Sequence, residues 1–126
     1  KRLFPFVLSL MLLSSCGNAG SSSSGYRQIN MDEAVKMMKD EKNYIILDVR
    51  RADEFAEGHI PGATLLDVTN EPEFLKGIES LDKDKTIYIY CRSGRRSRIA
   101  AKHLIDNGFN VVDLQGGYSA WESAFK

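Results

Sequence analysis

The chain has little of several things, and each scarcity closes off a class of function. Two cysteines, Cys16 and Cys91, are too few for a disulfide framework. Two histidines, His59 and His103, leave no cluster with metal-ligand spacing. Net charge is absent: 17 basic residues balance 17 acidic ones, and the basic residues form no stripe, which argues against a nucleic-acid binder. A long hydrophobic run is also missing. The apolar residues 3–13 are interrupted by Pro5 and Ser9, and fall short of the roughly 20 residues that cross a bilayer. No internal repeat is visible. What remains is 126 residues, enough for one domain of ordinary size.

The opening residues have their own pattern. Lys1 and Arg2 precede the apolar run, and small Ser14 and Ser15 follow it before Cys16. That order is expected of a secretory signal peptide over residues 1–15. Leu13-Ser14-Ser15-Cys16 resembles the bacterial lipobox, in which the cysteine is lipidated and becomes the new N-terminus. Residues 16–25, with four consecutive serines, then read as a flexible tether whose typical reach is roughly 16–19 Å. The expectation is a domain over residues 26–126 in the periplasm of a bacterial envelope, touching the membrane only through lipid. With Cys16 so used, Cys91 is the one thiol left, and no internal disulfide can form. Anything loaded onto Cys91 must leave to an external acceptor.

From Tyr26 onward strands alternate with helices. A short strand is expected over residues 26–29. Asn30 with Glu33 opens a helix to about Asp40, whose Ala34, Met37 and Met38 share a face. Residues 44–49 are apolar apart from Asp48, as in a strand covered on both sides. A helical turn with Ala52, Glu54, Phe55 and Ala56 follows, then a loop over residues 58–63, a weak strand over 63–67 and a helix over 73–80. Residues 86–90 make another strand, with Ile87 and Ile89 on one face and Tyr88 and Tyr90 on the other. The next helix runs to about Asn107, where Gly108 supplies a left-handed stop and Phe109 folds back on Leu104. A last strand over residues 111–114 and a helix carrying Trp121 complete the pattern, which argues an α/β parallel sheet.

Cys91 lies where the 86–90 strand breaks into Arg92-Ser93-Gly94-Arg95-Arg96-Ser97 and then a helix. A Gly/Ser/Arg loop at a helix N-terminus builds a cup of backbone N–H groups, and the helix dipole and nearby guanidinium groups favour negative charge inside it. A thiol there ionises more readily than a free cysteine, whose pKa is about 8.5. A shift of about two units raises the thiolate fraction at pH 7 from roughly 3% to roughly 75%. The same cup suits a small anion beside the sulfur.

Three stretches together resemble a single-domain rhodanese: Leu47-Asp48-Val49-Arg50 through Gly58-His59-Ile60-Pro61-Gly62-Ala63; Tyr88-Ile89-Tyr90-Cys91-Arg92-Ser93-Gly94-Arg95-Arg96-Ser97; and Gly108-Phe109 through Leu114-Gln115-Gly116-Gly117 to Trp121. The resemblance implies a rhodanese-like fold, a five-stranded parallel sheet with helices on both faces. It implies transfer of sulfane sulfur from a small anionic donor such as thiosulfate to an external thiol or cyanide, through a persulfide on Cys91. Arg92, Ser93, Gly94, Arg95, Arg96 and Ser97 would form the cradle, and Asp48 and Arg50 would support the loop from the neighbouring strand. No cofactor or metal is expected, and a monomer is.

Blander readings stand beside these. A lone cysteine is more often buried and inert than reactive, and an arginine run is more often a solvated face, to which Arg98 is assigned. Asp48, at the end of a buried strand, suits a structural pairing with Arg50 or with loop N–H groups rather than acid–base work. His59 and His103 receive no catalytic role. A cysteine-dependent phosphatase or arsenate reductase resembles Cys, five residues, then Arg; here Ser97 stands six after Cys91, so the loop is one residue short. A non-catalytic rhodanese-like binding module is the other alternative, against which the retained Cys91 and basic loop argue.

Overall fold

The computed structural model describes residues 25–125. The expected signal peptide, the lipidation at Cys16 and the tether up to Ser24 lie outside the described residues. The elements are β1 (Gly25–Ile29), α1 (Met31–Asp40), β2 (Tyr44–Asp48), α2 (Ala52–Glu57), β3 (Thr64–Leu65), α3 (Glu71–Ile78), β4 (Thr86–Tyr90), α4 (Arg95–Asp106), β5 (Asn110–Leu114) and α5 (Gly117–Phe125). All five strands run parallel in one sheet of order β1-β5-β4-β2-β3. The fold is the expected α/β one.

Strands covered on both faces need apolar side chains on both, and β4 supplies them. Ile87 and Ile89 join Leu47, Val111, Phe74 and Ile78 of α3, and Ala100, Ala101 and Leu104 of α4 in one buried cluster. Tyr88 and Tyr90 point the other way, into a cluster with Ile46, Val112, Leu114, Met31 and Ala34 of α1, and Tyr118 of α5. Each fully buried aliphatic side chain contributes about 1.5–3 kcal/mol. The two tyrosines also use their polar ends. The Tyr88 hydroxyl donates to Glu41 at 2.6 Å, and the Tyr90 hydroxyl accepts from the Ile60 N–H at 3.0 Å.

Element ends follow local chemistry. The Asn30 side chain accepts from the Glu33 N–H at 2.8 Å and starts α1. Gly108, at φ 89°, ends α4: its N–H bonds the Ile105 carbonyl, and the Phe109 N–H reaches back to Leu104, both at 3.0 Å. The larger boundary shifts fall at α3 and β3. α3 begins at Glu71 rather than Glu73, because Pro72 is tolerated in a first turn that has no use for its missing N–H. β3 shrinks to two residues because its ladder with β2 stops where β2 stops, at Asp48 opposite Leu65.

The strand order positions the site. Chain leaving β2 continues to β3 on one side, whereas chain leaving β4 continues to β5 on the other. The loops after β2 and β4 therefore diverge, and a crevice opens between their carboxyl ends. Cys91 is the first residue past β4.

Candidate active site

The Cys91 sulfur sits under the loop that joins β4 to α4. The Gly94 N–H donates to it at 3.0 Å. The N–H groups of Ser97 and Ser93 and the Ser97 hydroxyl lie near enough to favour its anion as well. These donors open a twelve-residue helix with no acidic residue in its first turn, so the dipole acts undiluted at the sulfur. Burial pushes the thiol pKa up, since Cys91 is only 1% exposed; the converging N–H and O–H donors outweigh burial and bring it below the ordinary value. The sulfur is thus closed to bulk solvent yet disposed to carry charge.

The arginines of the loop divide. Arg96 is half-buried, and its guanidinium grips Glu54 of α2 with two hydrogen bonds of 2.6 and 3.0 Å. This fork across the crevice holds the Glu54 carboxyl down at about 2, chiefly through the Arg96 hydrogen bond, and raises Arg96 in turn. The Arg96 charge still acts on Cys91. Arg92 and Arg95 are exposed. Arg92 helps to wall a polar cleft of about 160 Å³ with Arg50, Glu54, Glu57, Gly58, Tyr118 and Glu122. Ser97 turns inward, fully buried, with its Oγ 3.1 Å from the Gly94 carbonyl and from Asp113 Oδ2.

Asp48 and Arg50 pair with each other. Both are buried, at 0% and 1% exposure, and the guanidinium meets the carboxylate through three contacts of 2.7–3.1 Å. The Arg50 N–H also donates to Asp48 at 3.0 Å. Burial pulls Arg50 down and Asp48 more than restores it, so the guanidinium stays charged. Its remaining hydrogen bond goes to the Gly58 carbonyl at 2.7 Å, and its flat face lies over the rings of Tyr118 and Tyr90. The pair thus ties the loop after α2 to the end of β2 and the start of α5. His59 stacks on Phe55 and His103 meets Glu71 at 3.2 Å, both away from the sulfur loop.

A second helix N-terminus closes the loop from behind. The Tyr118 N–H donates to the Cys91 carbonyl at 2.8 Å, and the Ser119 N–H to the Arg92 carbonyl at 3.3 Å. This approach requires glycine at 117: φ is +54°, and a Cβ would lie 2.3 Å from the Cys91 carbonyl oxygen. Three residues that shape the site carried no role in the sequence: Glu54, Asp113 and Gly117. A carboxylate in the first turn after Arg50 and paired glycines before a helix are the signals that mark Glu54 and Gly117. A lone Asp in a buried strand marks Asp113.

Comparison with known proteins agrees with this architecture. A family model described as "Rhodanese-like domain" matches residues 30–124. A Bacillus subtilis (strain 168) protein named "Putative sulfurtransferase YtwF" is 44% identical over 91 residues, 72% of this chain and 84% of that one. A Coxiella burnetii (strain RSA 493 / Nine Mile phase I) protein named "Thiosulfate sulfurtransferase GlpE" is 35% identical over 99 residues, 78% of this chain and 89% of that one. The crystal structure of a rhodanese-like domain protein from Staphylococcus aureus superposes with TM-score 0.67 at 34% identity, covering 75% of this chain and 90% of that chain.

Proposed function

The chain belongs to the rhodanese-like domain family, and from that premise we propose that it moves sulfane sulfur from thiosulfate or a similar anionic donor to a thiol or cyanide, with Cys91 as carrier. The observation that carries this reading is the convergence of the Ser93, Gly94 and Ser97 N–H groups on a sulfur that burial alone would keep protonated. In the first half-reaction the Cys91 thiolate attacks the outer sulfur of thiosulfate. The donor S–S bond breaks, sulfite departs with the electron pair, and a Cys91 persulfide anion remains. The acceptor then takes the outer sulfur and the thiolate returns. Two displacements replace one transfer, so ping-pong kinetics are expected. The same donors stabilise sulfur anions in both steps.

Two further observations support the assignment. A buried sulfur admits a small donor in preference to a bulky one, and Arg92, exposed and next in the chain to Cys91, suits the sulfonate end of thiosulfate. The position six after Cys91 holds Ser97, turned toward Asp113, so no guanidinium stands where a cysteine phosphatase needs one. Cys91 is the free cysteine among the described residues, so the acceptor comes from outside. We place the domain at the bacterial envelope, held by lipid on Cys16; the support is the residue order before Cys16 alone.

Intact-mass measurement after exposure to thiosulfate, with and without cyanide, tests the transfer. A gain of one sulfur atom that cyanide removes, and that Cys91→Ser abolishes, is the expected result. No gain in the unaltered chain, or an undiminished gain in Cys91→Ser, overturns it.

A further inference from the structure

Asp113 has no part in the sulfur chemistry above, yet it is a carboxyl only 1% exposed beneath the first turn of α4. It projects from β5, and its Oδ2 accepts hydrogen bonds from the Tyr26 hydroxyl of β1 at 2.9 Å and from Ser97 Oγ of α4 at 3.1 Å. Ser97 in turn lies beside the Cys91 sulfur, where its N–H and its hydroxyl both favour the anion. A continuous path thus runs from a partly exposed phenol, through a buried carboxyl and a buried hydroxyl, to the sulfur.

A serine hydroxyl carries one proton. Asp113, the Gly94 carbonyl and the sulfur compete for it. An ionised carboxylate is the strongest neutral-pH acceptor of the three when the sulfur is a thiol, and draws the proton to itself. Ser97 Oγ then offers the sulfur only a lone pair, which welcomes a thiol proton and repels a thiolate. An uncharged carboxyl reverses the chain: it donates to Ser97 Oγ, and the serine proton is released toward the sulfur anion.

We propose that Asp113 is a positioning residue for Cys91 that acts through the Ser97 hydroxyl, turning its proton toward the sulfur anion when uncharged and away from it when ionised. Protons balance along the path. As the Cys91 S–H bond breaks, its proton passes to Ser97 Oγ while the serine proton forms the O–H bond on Asp113 Oδ2, and no redox partner is needed. The groups facing Asp113 are Tyr26 and Gln28 from β1 and Ser97 and Arg98 from α4. Burial pushes the Asp113 carboxyl up, and the hydrogen bonds and the Arg98 charge only partly offset it. The Tyr26 phenol is pushed up to about 12 by burial and by Asp113, so it remains a donor below that pH.

The inference rests on the sulfur-transfer reading insofar as Cys91 is the nucleophile, but its test does not require transfer. The rate of Cys91 alkylation by iodoacetamide is followed from pH 4 to pH 10. Asp113→Asn removes the ionisable carboxyl; with its amide nitrogen in the place of Oδ2, where both neighbours meet it, the side chain donates to Ser97 Oγ and to the Tyr26 hydroxyl oxygen. The unaltered chain should show a profile broader than one ionisation. Asp113→Asn should show a single ionisation with a midpoint about one unit lower, a tenfold change in the thiol–thiolate ratio. In a Ser97→Ala background the Asn substitution should shift the midpoint by less than half as much. Identical profiles with and without Asp113, or an undiminished shift without the Ser97 hydroxyl, overturn the proposal. Should Asp113→Asn not fold, Tyr26→Phe serves: losing that bond raises the proton affinity of Asp113 and moves the Cys91 midpoint down by a smaller step, and an unmoved midpoint overturns the proposal. A chain that shows these shifts but takes no sulfur from thiosulfate defeats the transfer reading alone. A chain that takes sulfur without the shifts defeats the relay alone.

Discussion

Gly117→Ala perturbs the sulfur loop without touching a reacting atom. The added Cβ would stand 2.3 Å from the Cys91 carbonyl oxygen and 2.8 Å from that of Arg92, where ordinary contact begins at 3.4 Å. Both obstacles are backbone, so the loop or the start of α5 must retreat by about 1 Å, and the 2.8 Å bond from the Tyr118 N–H to the Cys91 carbonyl lengthens with it. A misplacement of about 1 Å in a catalytic group can cost about 100-fold in rate, or ~2.7 kcal/mol. The left-handed φ adds a separate cost of about 1–2 kcal/mol to stability. Gly108→Ala isolates that second cost, since its φ is +89° and nothing lies within 4 Å of its added Cβ. Single-turnover persulfide formation from thiosulfate should be about 100-fold slower in Gly117→Ala and little changed in Gly108→Ala, each measured well below its own melting temperature. Rates within threefold of each other in two folded variants would refute the idea that α5 sets the loop geometry.

Further outcomes follow from the ion pairs and from the N-terminal pattern. Glu54 is held at about 2 against an ordinary 4.5, so its contribution is fully present above about pH 4.5 and is lost as pH falls through about 2. The stability gap between the unaltered chain and Glu54→Gln, about 1–2 kcal/mol after solvent screening, should therefore shrink on acidification from pH 6 to pH 3; a constant gap in urea midpoints contradicts this. Arg50→Ala strands the fully buried Asp48 carboxylate and should cost about 3–5 kcal/mol in denaturant unfolding, and a loss under 1 kcal/mol would remove the pair from the scaffold. Arg92→Ala should raise the thiosulfate KM roughly tenfold while sparing the second half-reaction, and an unchanged KM would assign this arginine to solvent. Cys16→Ser should release the protein from bacterial membranes; retention would remove the lipid anchor.

Much of the site was written locally. Cys91 follows a strand whose alternating Ile and Tyr residues feed two cores, and it precedes a Gly/Ser loop whose Gly94 N–H turns back to its sulfur. The stop at Gly108 and the pairing of Asp48 with Arg50 span six residues or fewer, and both are visible from residue type and spacing. Arg96 stood as a cradle residue in the same way, on position alone. Its guanidinium proved to be committed to Glu54, 42 residues away, and only the divergence of the β2 and β4 connections makes them neighbours.

The amino-acid order by itself determined which sulfur lies at the start of the loop, because a cysteine between a strand and a helix N-terminus is a matter of consecutive backbone dihedrals. It also determined the parallel sheet, through strands apolar on both faces. Only the tertiary structure decided what surrounds that sulfur: Gly117 behind its carbonyl, Glu54 across the crevice, and Asp113 beneath Ser97 with Tyr26, 87 residues from it in sequence, at its other side. Those contacts join strand ends and helix starts brought together by crossovers, and no spacing along the chain encodes the distance between two ends of different strands.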